Sequence, residues 1–305
     1  ARHASQEKIN IIEGLLNQTF TVPGLWKPVN GISPIHRIYS QIYTEILPLL
    51  QSNLRLDFTG KILNSLNDWV HIDNDSSNDV VLTPRYVTNL MAKMARTDMD
   101  SYVWDTAMGS GGFLVSAMNL MIKDAQDKIQ DQAKLNAKIK HIKSQQLLGI
   151  EILGSIFLLS TINFIIAGDG SSSLKMGNAH QLYDKVHFPA NVFLLNPPYS
   201  ADGKGLSFVQ EALSQMQRGY ACVLIQENAG SGNGQPFAKN ILKNNTLEAS
   251  IHMPVDLFGG KASVQTAIYV FKVNEPHNPK KAVKFIDFST DGYTRQNRKK
   301  SSQDV

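Results

Sequence analysis

The chain of 305 residues has very little cysteine and no long apolar run, and these absences exclude several classes of protein. A single cysteine cannot form a disulfide framework or a CxxC zinc site, and the eight histidines are scattered rather than spaced as metal ligands. We therefore expect no bound metal and a reducing, intracellular setting. The longest apolar stretch, Ile150–Ala167, is interrupted by polar residues and glycine, so the sequence predicts no membrane span.

Charged residues are also sparse, at 18% of the chain, whereas hydrophobic residues make up 42%, which is typical of a globular protein with a real core. The formal net charge of +4 is unevenly distributed. Residues 280–300 hold seven Lys or Arg and two Asp, so this segment carries +5 and the rest of the chain −1. A basic segment favours a polyanionic neighbour, although a solvated tail would have the same composition.

Residues 1–78 are predicted to form a helical N-terminal domain. Ser33-Pro34 is typical of a helix start, and isoleucines recur every four residues after it. A second helix is predicted over Asp57–Val70. The polar segment Asp73–Asp79 is too rich in Asp, Asn and Ser for regular structure, so we place a boundary there.

After this boundary, short apolar runs alternate with helical segments, which predicts an α/β domain over residues 79–290 with a mostly parallel, doubly wound sheet. In such sheets ligands bind at the carboxyl ends of the strands. Thr83-Pro84 is predicted to cap a helix that runs to about Ala95, and residues 121–146 a long solvated helix or a helical hairpin. Residues 291–305 are predicted to be a basic tail or the start of a further region. The predicted strands are Tyr102–Asp105, Leu147–Glu151, Val192–Asn196, Tyr220–Gln226, Ala249–Met253, Gln265–Val273 and Val283–Phe288.

A glycine-rich loop follows the strand that ends at Asp105 and opens the next helix; it reads Gly109-Ser110-Gly111-Gly112-Phe113. Glycines let the backbone approach a ligand closely and present N–H groups at a helix N-terminus. The loop lacks the Gly-Lys-Ser/Thr of a P-loop and the GxGxxG spacing of a dinucleotide site.

Two acidic residues suggest what this loop binds. A carboxylate at Asp105 would repel a pyrophosphate but suits a cationic ligand such as S-adenosylmethionine, which has an ammonium and a sulfonium. Glu151, at the end of the second strand, is placed to accept hydrogen bonds from two ribose hydroxyls. The alternative for Glu151 is that it only caps the helix starting near Gly154.

The tetrapeptide Asn196-Pro197-Pro198-Tyr199 ends the strand over Val192–Asn196. Two prolines stop strand pairing and stiffen the backbone, which leaves the Asn196 side-chain oxygen and the Pro197 carbonyl as two acceptors for one amino group. Held in this way, a planar amine is aimed at a methyl carbon. Tyr199 offers a ring on which a flat base or amide can stack. A proline-rich turn without chemistry is the alternative.

Together with Thr83-Pro84-Arg85-Tyr86 and Gly149-Ile150-Glu151, these motifs resemble those of amino-group DNA adenine methyltransferases, in particular the modification (M) subunits of type I restriction–modification systems. The resemblance covers residue 80 to about 290, and the segment before it is similar to the helical domain of those subunits. It implies a Rossmann-like, S-adenosylmethionine-dependent methyltransferase sheet with a helical N-terminal domain.

The resemblance also implies site residues. Asn196, Pro197, Pro198 and Tyr199 would bind the target adenine and carry catalysis. Asn178 stands where the family usually has an aspartate that contacts the cofactor adenine. The residues expected around S-adenosyl-L-methionine are Thr83, Tyr86, Asp105, Gly109, Ser110, Gly111, Gly112, Phe113, Glu151, Asn178 and Asn196.

The activity that the resemblance implies is methylation of adenine N6 in double-stranded DNA, with base flipping, in a restriction–modification or related system of the prokaryotic cytoplasm. The sequence shows no target-recognition domain and no nuclease pattern. We therefore expect a DNA-specificity subunit or a fused recognition domain as partner, and a restriction subunit as a further one. The alternatives are methylation of a protein glutamine amide, methylation of cytosine N4, and a cofactor-binding subunit without activity.

Overall fold

The computed structural model describes residues 6–48, 83–169, 171–258, 264–292, 295–296 and 299–300. Asp57–Val70 and Asp73–Asp79, for which a helix and a linker are predicted, lie outside these residues. The helices are α1 (Gln6–Phe20), α2 (Pro23–Trp26), α3 (Pro34–Gln41), α4 (Arg85–Met94), α5 (Gly112–Lys128), α6 (Gln132–Gln145), α7 (Gly154–Ile166), α8 (Ala179–Leu182), α9 (Leu206–Ser214) and α10 (Gln235–Asn244). None of these helices has the length and apolar character needed to cross a membrane.

Within the described part of the chain, eight strands form one sheet in the order β3-β2-β1-β4-β5-β7-β6-β8. Strands β1 to β5 run parallel to one another, β7 is antiparallel to both β5 and β6, and β8 is parallel to β6. The mostly parallel α/β sheet predicted from the sequence is therefore confirmed. The strands are β1 (Val103–Asp105), β2 (Leu147–Glu151), β3 (Ser173–Met176), β4 (Val192–Leu195), β5 (Gly219–Gln226), β6 (Thr246–His252), β7 (Thr266–Val273) and β8 (Lys284–Asp287).

The core lies on both faces of the sheet, which explains why its strands are continuous apolar runs. On β4, Val192 and Leu194 pack in one apolar cluster, with α4 and α5. Phe193 and Leu195 point to the other face and pack in a second cluster, with α9. The central strands are thus held from both sides, and their carboxyl ends have fixed positions.

The helix predictions need one correction. Helix α4 ends at the predicted place, with Ala95 as its C-cap, but its N-cap is Pro84, and the side chain of Thr83 does not cap it. Instead the Thr83 hydroxyl contacts a residue of the candidate site. Residues 121–146 form the helical hairpin of α5 and α6 rather than one helix, since Asp131 accepts a hydrogen bond from Lys134 N (2.7 Å) and starts α6 anew.

Within the N-terminal segment, α3 starts as predicted at Ser33, whose hydroxyl accepts a hydrogen bond from His36 N (3.4 Å). Helix α3 continues into a π-helical turn, Ile42–Ile46. At the other end of the chain, within the segment predicted to be a basic tail, Arg295–Gln296 (β9) and Lys299–Lys300 (β10) pair as two short antiparallel strands.

Candidate active site

The order of the strands reverses between β1 and β4, and in open α/β sheets the ligand crevice lies at the carboxyl ends of the strands beside such a reversal. Trp104 pairs with Phe193 and Asp105 with Gly149. Asn196 and Glu151 therefore lie two residues beyond the level of Asp105, on the two strands that flank β1. With ~3.3 Å per residue and ~4.8 Å between strands, the Asn196 and Asp105 backbones are about 8 Å apart.

The glycine loop after β1 is fixed in a turn that leads into α5. Gly109 has a φ of +54° and Gly111 a φ of +80°, so both adopt the left-handed conformation that glycine accepts most readily. Gly111 N–H donates to Met108 O (2.8 Å), and Met108 N–H donates to Ile150 O of β2 (2.9 Å). The loop is thus held against the carboxyl end of β2, where Glu151 lies.

The carboxylate of Glu151 joins the glycine loop to the start of α7. Its Oε2 accepts a hydrogen bond from Gly109 N (3.0 Å), and its Oε1 accepts one from Leu153 N (2.9 Å), the N-cap residue of α7. Burial raises the pKa of Glu151, and these two hydrogen bonds oppose the rise. The local capping contact is therefore present, while the contact with ribose hydroxyls stays a prediction.

Asp105 is fully buried, with no exposed surface. Its Oδ1 accepts a hydrogen bond from Ala107 N (3.1 Å), but its Oδ2 is buried and has no hydrogen-bond partner among the described residues. Burial raises the pKa of Asp105 well above its ordinary value, and the charge of Glu151 raises it further. A buried carboxylate with an open acceptor position is costly, so it favours a ligand that brings a positive charge or an N–H donor.

Asn196 follows β4 and directs its side-chain amide to the same edge of the sheet. The Nδ2 group donates to Thr83 Oγ1 (3.2 Å), whereas Oδ1 is buried and has no partner within the described parts of the chain. Pro197 is buried. Ala201 N–H donates to Pro198 O (3.1 Å), so the turn uses the carbonyl of the second proline and not that of Pro197. The predicted acceptors, Asn196 Oδ1 and Pro197 O, thus stay outside the hydrogen bonding of the turn itself.

The other residues predicted for the site have varied positions. The Tyr86 hydroxyl donates to the Asp291 carboxylate, and the ring of Phe113 is 4% exposed and packs in the core. Asn178 caps α8 by accepting a hydrogen bond from His180 N (3.0 Å). Tyr199 packs against one of the apolar clusters and is half-buried. Phe113 can thus contribute only backbone to the loop.

Asn163 of α7 supports the glycine loop and was not predicted to do so from the sequence. Its Nδ2 donates to Ser110 O (2.9 Å), and the residue is only 6% exposed. The signal was present, since an asparagine in a highly apolar helix must find a polar partner when it is buried. Which carbonyl it binds could not be read from the sequence, because the two residues are 53 positions apart.

The arrangement fits S-adenosyl-L-methionine in its chemistry. Two buried carboxylates, Asp105 and Glu151, lie at the ends of neighbouring strands, and one carboxylate oxygen has no partner among the described residues. Such a set of carboxylate acceptors suits a ligand with an ammonium group, a sulfonium and hydroxyls, and it disfavours a phosphate. Asn196 follows β4, on the other side of β1. Its Oδ1, which has no partner among the described residues, is an acceptor for a second molecule with an N–H group.

The glycine loop gives a stability prediction with a built-in control. A Cβ on Gly111 would lie 2.8 Å from Phe164 Cε2, while one on Gly109 would meet nothing within 4 Å. Both positions have positive φ, which costs an alanine about 1–2 kcal/mol. We expect Gly111→Ala to lower the free energy of unfolding by about 1–3 kcal/mol more than Gly109→Ala, because only the former also overpacks the core. Urea denaturation of the two variants measures this difference, and equal losses would contradict the steric argument.

Comparisons with known proteins agree on one family. The sequence model for N-6 DNA Methylase matches residues 70–205 and 201–304. The chain is 32% identical over 277 residues to the type II restriction enzyme and methyltransferase RM.BcgI of Heyndrickxia coagulans. This alignment covers 86% of the chain but 42% of RM.BcgI, so the chain spans less than half the length of that relative.

Solved structures share the fold at low identity. One is the modification subunit of a provisionally assigned type I restriction enzyme from Vibrio vulnificus (TM-score 0.61, 17% identity, 79% of this chain and 52% of that one). Another is a provisionally assigned class I S-adenosylmethionine-dependent methyltransferase from Listeria monocytogenes (TM-score 0.57, 16% identity, 94% of each chain). The Rossmann-like methyltransferase sheet predicted from the sequence is therefore confirmed.

Proposed function

Since the chain belongs to the N-6 DNA methylase family, we propose that it transfers the methyl group of S-adenosyl-L-methionine to the N6 amino group of adenine in double-stranded DNA. One observation carries this proposal. Asn196 Oδ1 lies at the end of β4, beside β1, which ends at Asp105. Asn196 Oδ1 and Asp105 Oδ2 are both buried and have no hydrogen-bond partner among the described residues. An acceptor for an amine and an acceptor for a cation thus lie at the carboxyl ends of neighbouring strands, on residues whose backbones are about 8 Å apart.

The cofactor would be held by the residues around the switch in strand order. Asp105 would accept from the ammonium group, Glu151 from the ribose, and the backbone of residues 109–112 would line the loop. When bound, S-adenosyl-L-methionine supplies a methyl carbon on a sulfonium, which leaves as a neutral thioether. The burial of Asp105 strengthens its attraction for a cation, because the local dielectric is low.

The target amine would be held by two acceptors. Asn196 Oδ1 accepts one N–H and Pro197 O the other, which draws the nitrogen out of the plane of the ring and makes its lone pair available. The same two dipoles stabilise the positive charge that develops on the nitrogen as it forms the bond to the methyl carbon, and the charge is lost when one N–H proton leaves to water. The ring of Tyr199 would stack on the base, which must leave the duplex to reach this edge of the sheet.

Recognition of a DNA sequence would come from a specificity subunit or a fused recognition domain, and a restriction subunit would act on unmodified DNA. Basic side chains of residues 280–300 and the lysines of α6 would lie near the phosphate backbone. The proposed setting is the prokaryotic cytoplasm.

The proposal is tested by the identity of the modified base. The full-length protein is expressed with its genomic neighbours in a host that lacks DNA methylation, and the nucleosides of the host DNA are analysed by mass spectrometry. We expect N6-methyladenine, absent from the same host carrying the Asn196→Ala variant. If N4-methylcytosine were found in its place, the substrate would be cytosine. If the DNA were unmodified and a host protein carried a methylated glutamine, the substrate would be a protein amide.

A further inference from the structure

The hydrogen bond between Asn196 and Thr83 has no assigned role in the proposed reaction. It joins two residues 113 positions apart, and it uses the Nδ2 group of the amide while Oδ1 has no partner among the described residues. An asparagine amide can rotate by 180° at little intrinsic cost, because its last torsion is roughly two-fold. In one orientation Asn196 presents an acceptor, and in the other it presents a donor to the site.

We propose that Thr83 is a positioning residue, whose hydroxyl holds the Asn196 amide with Oδ1 toward the target amine. The inference rests on the proposed function and deepens it. An amino group offers only donors, so only the orientation with Oδ1 in the site is productive. That orientation requires an acceptor for Nδ2, and Thr83 Oγ1 lies 3.2 Å from it. A hydroxyl has two acceptor lone pairs and one O–H donor, so it holds the amide in place without adding a charge, and the N–H groups of the target, which only Oδ1 can accept, select between the two orientations.

Thr83 is well placed for this role because it immediately precedes a firmly held helix. Helix α4 buries Val87, Thr88 and Met91 against the core. The Thr88 hydroxyl lies 2.7 Å from the Ser116 hydroxyl of α5, the helix that begins at the glycine loop. Thr83 and the glycine loop therefore precede two helices that are joined by a hydrogen bond.

This role differs from the cofactor contact that the resemblance implies for Thr83. A residue that contacts the cofactor changes its dissociation constant. A residue that orients Asn196 changes the fraction of enzyme in the productive state, so it changes kcat with saturating cofactor and DNA and leaves cofactor affinity nearly unchanged. The two roles are separable by measurement.

The experiment compares Thr83→Val, Thr83→Ala and Thr83→Ser in the full-length protein with its recognition partner. Thr83→Val keeps the shape and removes the hydroxyl, whereas Thr83→Ser keeps the hydroxyl. We expect kcat to fall about 10- to 100-fold in the valine and alanine variants, as for a misplaced catalytic group, and the serine variant to keep most of the activity. The dissociation constant of S-adenosyl-L-methionine, measured by calorimetry, is expected to stay within about threefold of wild type.

Thr97→Val is the matched control, since Thr97 follows the other end of α4 and its buried hydroxyl has no partner among the described residues. It is expected to leave kcat unchanged. The alanine variant covers the case in which valine does not fold. Wild-type kcat in both Thr83→Val and Thr83→Ala, or a weakened cofactor affinity with unchanged kcat, would overturn the positioning role. A wild-type protein without any transfer to DNA would overturn the proposed function instead.

Discussion

Replacing Asn196 with alanine is expected to abolish methyl transfer to DNA while leaving the binding of S-adenosyl-L-methionine nearly intact. The variant removes Oδ1, the buried acceptor that has no partner among the described residues, and with it one of the two contacts proposed for the target amine. Loss of one preorganised dipole at a developing charge typically costs about 10²- to 10³-fold in kcat. Because the two acceptors act together on one nitrogen, we expect a loss at or above the upper end of that range.

Asn191→Ala is the control for this prediction. Asn191 immediately precedes β4, whereas Asn196 immediately follows it. The Oδ1 of Asn191 accepts a hydrogen bond from Tyr102 N (2.7 Å) at the amino ends of the strands. This variant is expected to lose about 1 kcal/mol of stability and to keep its activity. Single-turnover transfer of a labelled methyl group to cognate DNA gives the rate, and calorimetry gives the cofactor affinity. Full turnover by Asn196→Ala would remove the residue from the reaction.

The parts of the fold that could be predicted are those with a strong local pattern. Strand β4 is buried on both faces, so its apolar run is unmistakable and the prolines after it fix where it ends. Strand β3 was not predicted, because Ser173–Met176 lies at the edge of this part of the sheet and is only partly buried. Its sequence mixes polar and apolar residues and lacks the periodicity on which the prediction depends.

The candidate site follows the same division. Asp105, Glu151 and Asn196 could be placed from the sequence, because each ends a recognisable strand and parallel strands bring their carboxyl ends together. The partners of these residues could not be placed. The contact of Asn196 with Thr83 joins distant parts of the chain, and so does that of Tyr86 with Asp291. Neither leaves a local pattern, since each depends on how α4 packs against the rest of the domain.

Replacing Asp105 with asparagine is expected to weaken the binding of S-adenosyl-L-methionine by about 10- to 100-fold without lowering the stability of the protein. Asparagine keeps an oxygen for the hydrogen bond from Ala107 N but removes the negative charge, which is the feature that suits a cationic ligand. A hydrogen bond to a charged group contributes about 1.5–3 kcal/mol, which corresponds to this loss of affinity. Calorimetric titration with the cofactor gives the dissociation constant.

The stability of the same variant follows from the raised pKa of Asp105. The pKa of this carboxyl is higher in the folded than in the unfolded protein. Its contribution to stability is fully present at a pH below the pKa of the unfolded state, and it is lost as the pH rises through the pKa of the folded state. Where the pH exceeds this raised pKa, the buried carboxylate therefore lowers stability, and Asp105→Asn should leave the free energy of unfolding unchanged or raise it. Weaker binding together with undiminished stability would identify Asp105 as a binding residue rather than a structural one.

The pH dependence of binding gives an independent check on the sign. A cationic ligand prefers ionised Asp105, so wild-type affinity should fall as the pH drops through the raised pKa of this group, because binding must then displace a proton. In Asp105→Asn most of this dependence should disappear, and a smaller part should remain from Glu151, whose pKa burial also raises.

Asp169→Asn is the matched control. Asp169 is equally buried, but it lies before β3, at the amino ends of the strands, where its Oδ1 accepts a hydrogen bond from Ser171 N (2.7 Å). An affinity that Asp105→Asn left unchanged at every pH would exclude a charge contact between Asp105 and the cofactor.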